Sequence, residues 1–486
     1  MLDVDQSERK SVESVPAPTS TARRTDGTSM GEVVANMPAG TAGRPLPQWF
    51  DAAKLGVMFS WGLYSVPGWA PDDVRHLAHM GDADAKLAGP GPWDHMDFVA
   101  TSPYGEWYLN TVSLVGSPTW LRHQALYPGR DYYSFRSEFE SAVLALDADH
   151  WAAVASDAGA RYVVPLAKHH DGYLLYPSEV PPLGDGRTHS CPRDVIGDVA
   201  EAVRARGLHF GAYYSGGLDW SLSGLPIAVH TGLEAAVPRT PQYVEYAEAQ
   251  WREIVTRYRP QVLWNDPLYP AVDSAERLVQ WYYSQVPDGV VNDRFGIGRP
   301  DFGTPEYSEG DAGSVRKWEM CRGLGRSFGF NRDETDAMTL SAQQAVRLLV
   351  DVVSRGGNLL LGVGPDTSGR VSAVQRRSLE GLGAWLTRNG SAIYGTRPWV
   401  RSGDALGDGS HVAWTRRGES LFATISGPAD TVALPVPLGA SANPRSVDET
   451  SRVSIQQRGS SVTIRREDTA VAQCIELSMS GVEEES

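Results

Sequence analysis

One carboxylate, Asp266, ends a segment that has the pattern of a buried strand. Residues 261–266 (QVLWND) carry three apolar side chains in their first four positions. Pro267 follows, and it lacks the N–H that a continuing strand would donate. A carboxylate at the C-terminal tip of a buried strand is where an α/β barrel places its reactive groups. The same residue could equally begin a turn or cap the next helix, and this segment alone does not choose.

A second carboxylate, Glu306, lies in a loop rich in glycine and proline, within residues 304–307 (TPEY). Most loop glutamates are simply hydrated. Glu306 gains interest because hydrolysis of a glycosidic bond needs two carboxyl groups, one ionised and one protonated. Asp301, Glu309 and Glu319 lie in the same region, and spacing alone does not choose among them.

Polar or ionisable side chains also stand where the other predicted strands end. They are Ser60, His169, His170, Tyr213 and Arg294, together with Asp266. In a parallel barrel the C-terminal strand tips converge on one face. The sequence therefore predicts one site that collects these residues.

The adjacent pair His169 and His170 bears on metal binding. On a regular strand, neighbouring side chains point to opposite faces, which argues against both imidazoles binding one ion. The chain has no HxxxH or HxH pair that would complete a zinc site. Either histidine could be a hydrogen-bonded core residue, but the position at a strand tip favours contacts to substrate hydroxyls. No metal and no cofactor is predicted.

The elements that position these residues alternate between strand and helix over about 350 residues. Strands are predicted at 54–61, 161–166, 208–214, 261–266, 290–294 and 358–363, and helices at 147–158, 194–206, 241–258, 275–285, 341–355 and 375–388. Alternation of this length predicts parallel strands in a (β/α)₈-like, TIM-type barrel rather than an open sheet.

Three segments follow from the composition along the chain. Residues 1–46 are rich in Ser, Thr, Pro, Gly and charge, which predicts a disordered tail. The catalytic barrel is expected over 47–396. From 397 to 486, short alternating runs divided by Gly, Pro and Asp predict a β-sandwich domain, with strands near 411–415, 421–425, 431–434, 461–464 and 474–477.

Charge and cysteine content restrict the partners and the compartment. The net charge of −15 argues against a nucleic-acid backbone or an anionic membrane surface as partner. Three widely spaced cysteines and no long apolar segment predict a cytoplasmic protein with reduced thiols. The fifteen Trp and nineteen Tyr suit a small-molecule or oligosaccharide glycoside as substrate, although core packing is the commoner use of Trp. A homo-oligomer remains open.

Long motifs in residues 49–399 identify a resemblance to the α-L-fucosidases of glycoside hydrolase family 29, in particular the bacterial type. The motifs are GVMFSWGLYSVPGWA (56–70), EWYLN (106–110), AKHHDGY (167–173), FGAYYSGGLDW (210–220), VLWND (262–266), VNDRFG (291–296), DFGTPEY (301–307), KWEMCRGLGRSFGFNR (317–332) and LVDVVSRGGNLLLGVGP (349–365). The C-terminal segment resembles the β-sandwich of the same family.

The resemblance implies a retaining exo-glycosidase that acts on terminal α-L-fucosides. It places the nucleophile at Asp266 and the general acid/base at Glu306. Substrate contacts are then expected from Ser60, Glu106, Trp107, His169, His170, Tyr213, Trp264, Arg294 and Phe328. Trp107 and Phe328 offer apolar faces that suit the C5 methyl group of a 6-deoxy sugar.

The chain departs from the family pattern at Ser60, where the first motif usually has a histidine that helps to bind the C4 hydroxyl of fucose. Serine is shorter, so this contact must be lost, bridged by water or made to a bulkier sugar. One alternative is therefore the same fold and mechanism with specificity for another L-sugar. A second is a tolerated substitution with reduced activity, and a third is a sugar-binding protein with a weakened site.

Overall fold

The computed structural model describes residues 44–86, 91–92, 95–184, 190–308, 317–436 and 439–481. The predicted disordered tail (1–46) lies outside these residues, apart from 44–46. There the guanidinium of Arg44 donates to the carbonyl oxygen of Gly289 at 2.8 Å and lies 4.3 Å from the ring centre of Tyr283. This end of the described chain is therefore held against the loop around Gly289.

Eight parallel strands form the barrel, and most of their residues are apolar and buried. They are β1 (Leu55–Phe59), β2 (Tyr162–Lys168), β3 (His209–Ser215), β4 (Val262–Asp266), β5 (Val290–Val291), β6 (Phe302–Gly303), β7 (Lys317–Gly323) and β8 (Asn358–Val363). Their order is β5-β4-β3-β2-β1-β8-β7-β6. A parallel bridge between Asn292 and Phe302 joins the two ends of the sheet. The predicted TIM-type barrel is confirmed.

Helices cover the sheet and the approaches to it. They are α1 (Gln48–Ala53), α2 (Arg75–Met80), α3 (Ala83–Lys86), α4 (Tyr108–Ser113), α5 (Pro118–Leu126), α6 (Arg136–Leu144), α7 (Ala148–Asp157), α8 (Val195–Ala205), α9 (Pro241–Tyr258), α10 (Val272–Gln285), α11 (Ala342–Ser354) and α12 (Ala373–Asn389). Between β5 and β6 a 3₁₀ turn, Asp293–Phe295, takes the place of a crossover helix. The barrel is therefore irregular on the side where Arg294 lies.

The boundaries of α9 show how local sequence sets these elements. The Thr240 side chain accepts a hydrogen bond from the N–H of Tyr243 at 3.3 Å and caps the helix. Pro241 occupies the first turn, where its missing N–H costs nothing. The helix ends at Arg259, which has a left-handed φ of 45°. Because α9 precedes β4, these signals set where the chain leaves the helix before the strand that carries Asp266.

Antiparallel strands follow the barrel and pack as a β-sandwich. One sheet has the order β13-β16-β11-β10-β9 and the other β12-β15-β14. The strands are β9 (Arg397–Ala405), β10 (His411–Arg417), β11 (Ser420–Ser426), β12 (Thr431–Ala433), β13 (Arg445–Ser446), β14 (Val453–Arg458), β15 (Ser461–Arg466) and β16 (Gln473–Ser478). Val412, Ile464 and Ile475 are among the buried residues of the core between the sheets. This confirms the predicted sandwich.

The structure also bears on the predictions of reduced thiols and of a chain without a membrane-spanning segment. The three cysteines, Cys191, Cys321 and Cys474, are free and buried. Among the described residues, every helix is too short or too polar to cross a bilayer. The cytoplasmic location and the oligomeric state stay predictions.

Candidate active site

Asp266 stands at the tip of β4 because the chain is fastened on both sides of it. Asn265 and Asn292 form a reciprocal pair: the N–H of Asn265 donates to Oδ1 of Asn292 at 3.2 Å, and Nδ2 of Asn292 donates to the Asn265 carbonyl at 2.9 Å. A Cβ atom on Gly217 would lie 1.7 Å from the carbonyl oxygen of Pro267. Only glycine therefore lets the loop after β3 approach the turn beyond Asp266.

The loop that carries Glu306 is fastened to β7 by backbone hydrogen bonds. The N–H of Tyr307 donates to the Cys321 carbonyl at 3.1 Å, and the N–H of Cys321 donates to the Pro305 carbonyl at 3.1 Å. Tyr307 adopts a left-handed φ of 51°, an uncommon conformation for a side chain of this size. This turn places Glu306 over the barrel.

Arg294 joins the two carboxylates. One terminal nitrogen donates to Oδ1 of Asp266, and the other donates to Oε2 of Glu306 at 3.0 Å. Burial alone would lower the pKa of Arg294, but the charges of Asp266 and Glu306 raise it well above its usual range. A permanently charged guanidinium thus donates to both carboxylates at once and holds them near each other.

A tyrosine hydroxyl donates to the second oxygen of each carboxylate. Tyr213 Oη donates to Oδ2 of Asp266 at 2.7 Å, and Tyr104 Oη donates to Oε1 of Glu306 at 2.7 Å. Burial, and then the neighbouring carboxylate, raises the pKa of each phenol well above its usual range. Both phenols therefore remain protonated donors.

The rivals of Glu306 have other partners or lie outside the described residues. Asp301 Oδ2 accepts from Tyr283 Oη at 2.7 Å and from the N–H of Val291 at 2.8 Å, so it links α10 to β5. Glu319 is fully buried inside the barrel, beneath Trp264. Glu309 lies outside the described residues. Among the described carboxylates of this region, Glu306 is the one that shares Arg294 with Asp266.

The expectation that the side chains of His169 and His170 point to opposite faces is wrong. The two rings of His169 and His170 lie 3.9 Å apart rather than on opposite faces. The reason is that β2 ends at Lys168, so the alternation of a regular strand no longer applies to the two residues after it. The backbone N–H of Trp220 donates to the His170 carbonyl at 2.6 Å and connects this segment to the loop after β3.

The hydrogen bonds of His170 define which ring nitrogen faces the site. Ser215 Oγ donates to the Leu218 carbonyl at 2.7 Å, so it accepts from Nδ1–H of His170 at 2.6 Å. Burial, with the charges of Lys168 and Arg294, lowers the pKa of His170 to about 3. The ring is therefore neutral, with a free lone pair on Nε2, 3.8 Å from Oδ2 of Asp266.

Glu106 and Phe328 are held together by the segment that contains Phe328 and Gly329. Oε2 of Glu106 accepts from the N–H of Gly329 at 2.6 Å, and a Cβ on Gly329 would lie 2.9 Å from this oxygen. Burial raises the pKa of Glu106 to about 7 against the lowering effect of these backbone N–H groups. The ring of Phe328 lies 5.4 Å from that of Tyr104, beside the partner of Glu306.

The remaining predicted residues connect through ring contacts. Trp107 lies 6.0 Å from His170 in an edge-on arrangement, and Trp264 stacks on Tyr213 at 5.5 Å. Ser60 is buried, and its hydroxyl lies 3.1 Å from the hydroxyl of Tyr64, whose ring is 5.6 Å from that of His169. The structure thus brings the eleven predicted site residues together. Ten connect through direct contacts or one intervening side chain, and Glu106 connects through the backbone of Gly329.

Three contributors escaped the sequence analysis: Tyr104, Tyr64 and Ser215. Tyr104 lies next to the EWYLN motif but within an irregular segment that carries no periodic signal. Tyr64 and Ser215 are ordinary core positions by pattern. Among the described residues, no group of three or more His, Cys, Asp or Glu side chains is arranged to hold a metal ion.

A parallel barrel whose strand tips gather two carboxylates, neutral histidines and aromatic faces defines a class of protein, the barrel-type glycoside hydrolases. Comparison with known proteins narrows the class. A family model described as alpha-L-fucosidase matches residues 30–391. The chain therefore belongs to the alpha-L-fucosidase family, and it is a glycoside hydrolase.

Individual relatives agree with this family. The alpha-L-fucosidase of Dictyostelium discoideum is 31% identical over 372 residues, which cover 73% of each chain. The tissue alpha-L-fucosidase of Rattus norvegicus is 28% identical over 395 residues, covering 78% of this chain and 76% of the relative. The α-fucosidase of Thermotoga maritima, solved in complex with fucose, superposes with a TM-score of 0.76 at 36% identity, covering 89% of this chain and 97% of that one.

Proposed function

We propose that this protein is a retaining exo-glycosidase that hydrolyses terminal α-L-fucosides through a covalent glycosyl–Asp266 intermediate, with Glu306 as general acid and base. The observation that carries the proposal is the guanidinium of Arg294 shared between the two carboxylates. Retaining glycosidases hold their carboxyl groups about 5–5.5 Å apart, and inverting ones about 6.5–9.5 Å. Two carboxylates that accept from one planar guanidinium fit the shorter separation.

The chemistry proceeds in two displacements. In the first, an oxygen of Asp266 bonds to C1 of the sugar while the bond from C1 to the leaving oxygen breaks, and Glu306 gives its proton to that oxygen. In the second, Glu306 takes a proton from a water molecule, whose oxygen bonds to C1 and releases Asp266 as a carboxylate. Each carboxyl group ends in the state in which it began.

The neighbouring groups suit these roles. Arg294 and the Tyr213 hydroxyl stabilise the ionised form of Asp266 before attack and after release. Neutral His170 presents an acceptor nitrogen to a sugar hydroxyl, and Glu106 adds a carboxylate acceptor. Trp107 and Phe328 supply apolar faces for the methyl group of a 6-deoxy sugar.

Release of p-nitrophenol from p-nitrophenyl α-L-fucoside tests the activity, and Asp266→Ala should abolish it. Proton NMR of the first sugar formed tests the stereochemistry, since retention produces the α-anomer before mutarotation. Absence of turnover on this and related aryl glycosides would reject the proposed activity. Sugar binding without turnover would support a weakened sugar-binding protein. The β-anomer as first product would reject the retaining mechanism.

Ser60 favours a second candidate, the same mechanism on another L-sugar. Its hydroxyl is buried and already paired with Tyr64, so it does not extend into the site as a longer side chain would. A panel of aryl 6-deoxy-L-glycosides compared with the fucoside separates the two candidates. A kcat/KM for the fucoside that exceeds all others, and that Ser60→His does not raise, would remove the second candidate.

Removing the Tyr213 hydroxyl is expected to slow the enzyme without unfolding it. Tyr213→Phe should lower kcat/KM about 10- to 100-fold, because a hydrogen bond to a charged group contributes about 1.5–3 kcal/mol. Steady-state kinetics measure this loss. Tyr214→Phe is the matched control: it removes a hydroxyl on the opposite face of β3, bonded to Gln250, and should lower stability while leaving kcat/KM nearly unchanged. Equal kinetic effects in both variants would contradict the assignment.

The contribution of Glu106 is expected to depend on pH. Because burial raises its pKa to about 7, the ionised form, which makes the stronger hydrogen bonds to hydroxyls, fills as the pH rises through that value. The kcat/KM ratio of wild type to Glu106→Gln should therefore increase about tenfold between about pH 5 and pH 8. The ratio cancels the titration of groups common to both proteins, and a ratio that stays constant would contradict this role.

A further inference from the structure

One buried carboxyl group has no part in the two displacements. Glu319 lies on β7, inside the barrel, and is 0% exposed. Oε1 accepts from the indole Nε1–H of Trp264 at 2.9 Å, and Oε2 accepts from the hydroxyl of Tyr162. Each carboxyl oxygen of Glu319 thus accepts a hydrogen bond, and an ionised carboxylate, which can only accept, suits two such donors.

The burial of Glu319 is unfavourable for the fold. Moving a carboxyl group from water into a barrel interior costs free energy that hydrogen bonds offset only in part. Burial accordingly raises its pKa to about 7. An apolar side chain of similar volume would stabilise a barrel core more effectively, so stability does not explain a carboxyl group here.

Trp264 connects Glu319 to the reacting groups. The guanidinium carbon of Arg294 lies 4.7 Å from the centre of the Trp264 ring, and the Tyr213 ring stacks on the same indole at an interplanar angle of 19°. Among the described residues, Arg294 and Tyr213 are the side chains that donate to Asp266. Both donors therefore lie against the same indole ring.

We propose that Glu319 is a positioning residue: its carboxylate fixes the plane of the Trp264 indole, and the indole holds Arg294 and Tyr213 in line with Asp266 and Glu306. The proposal rests on the proposed function above. Glu319 acts on kcat through geometry, because a misplacement of reacting groups by about 1 Å can cost about a hundredfold in rate.

A double-mutant cycle on the full-length enzyme tests the connection. Glu319→Met removes both acceptor oxygens at similar volume, and Trp264→Phe removes the indole N–H while keeping an aromatic face for Arg294. Each change should lower kcat about a hundredfold with little change in KM, and the double variant should lose no more than either single one. Glu319→Gln, which keeps an acceptor for the indole N–H, should recover most of the lost rate.

Tyr162→Phe is the matched control, because it removes the other hydrogen bond of the same carboxylate. It should lower the melting temperature and leave kcat nearly unchanged. Losses that multiply in the double variant, or an equal loss of kcat in Tyr162→Phe, would overturn the positioning role. If Glu319→Met does not fold, Trp264→Phe and Glu319→Gln still test the positioning role. A normal kcat in Trp264→Phe would overturn the proposal. Failure of the proposed function shows separately, as an inactive wild type.

Discussion

Asp266→Gly is expected to stop turnover of aryl α-L-fucosides while the protein stays folded. Loss of a nucleophile that acts together with its neighbours costs roughly 10⁴-fold or more in kcat. Asp266 lies at a strand tip where its side chain is 13% exposed, and in the variant Arg294 keeps its hydrogen bond to Glu306. The barrel core is therefore untouched, and circular dichroism and the melting temperature should change little.

Azide gives this prediction a specific chemical readout. The glycine leaves a space beside C1, on the face opposite the leaving group, that a small anion can enter. Added azide should restore release of p-nitrophenol and produce the β-L-fucosyl azide, with inverted configuration at C1. Asp273→Asn, at an exposed carboxylate on α10, is the control and should behave as wild type. Substantial residual activity in Asp266→Gly, or an α-configured azide, would exclude Asp266 as nucleophile.

The sequence predicts six of the eight barrel strands, all except β6 and β7, and two independent signals mark the clearest of them. β4 and β8 each contain a run of three apolar residues, and they are bordered by residues that interrupt a ladder or a helix, such as Pro267 and Gly357. α9 is predicted with the bounds that it has, because Thr240 and Pro241 supply both a cap and a first-turn proline. At these strands and at α9, the local sequence is sufficient to predict where the element lies.

Elements without a buried face are harder to predict. β14 alternates between partly buried and exposed residues and lies at the edge of its sheet, so its sequence (VSIQQR) carries little apolar signal. β9 is exposed or partly buried over most of its length, and it too was missed. The strand predicted at 290–294 is shorter in the structure, since the chain turns at Asp293 into a 3₁₀ helix. Tertiary contacts, rather than propensity, define all three.

The polar contacts of the site are the part that no local pattern contains. Tyr104 and Glu306 lie 202 residues apart in sequence and share a hydrogen bond of 2.7 Å. Arg294 was expected at a strand end near Asp266, but its second bond, to Glu306, depends on the left-handed turn at Tyr307. The residues of the site were predictable by type and by position at strand tips, whereas their pairing required the closed barrel.

Glu306→Ala is expected to divide substrates by the quality of their leaving group. General acid catalysis contributes about 10²–10⁴-fold, and a leaving oxygen that is already a stable anion needs little of it. Fucosides of an aliphatic alcohol or a second sugar should therefore lose about 10³-fold or more in kcat/KM. p-Nitrophenyl α-L-fucoside should lose far less in the first displacement and show a burst of p-nitrophenol, because the second displacement still needs a base.

Azide distinguishes Glu306 from Asp266 because the proposed mechanism places the two carboxylates on opposite faces of C1. In Glu306→Ala the anion should attack the glycosyl–Asp266 intermediate from the face that Glu306 occupied, and it should produce the α-L-fucosyl azide with retained configuration. Asp301→Asn, which removes the rival carboxylate bonded to Tyr283, is the matched control and should weaken the fold without changing the dependence on leaving group. A uniform loss across leaving groups in Glu306→Ala would contradict an acid role. Opposite azide configurations from the two variants would assign each carboxylate to one face of the sugar.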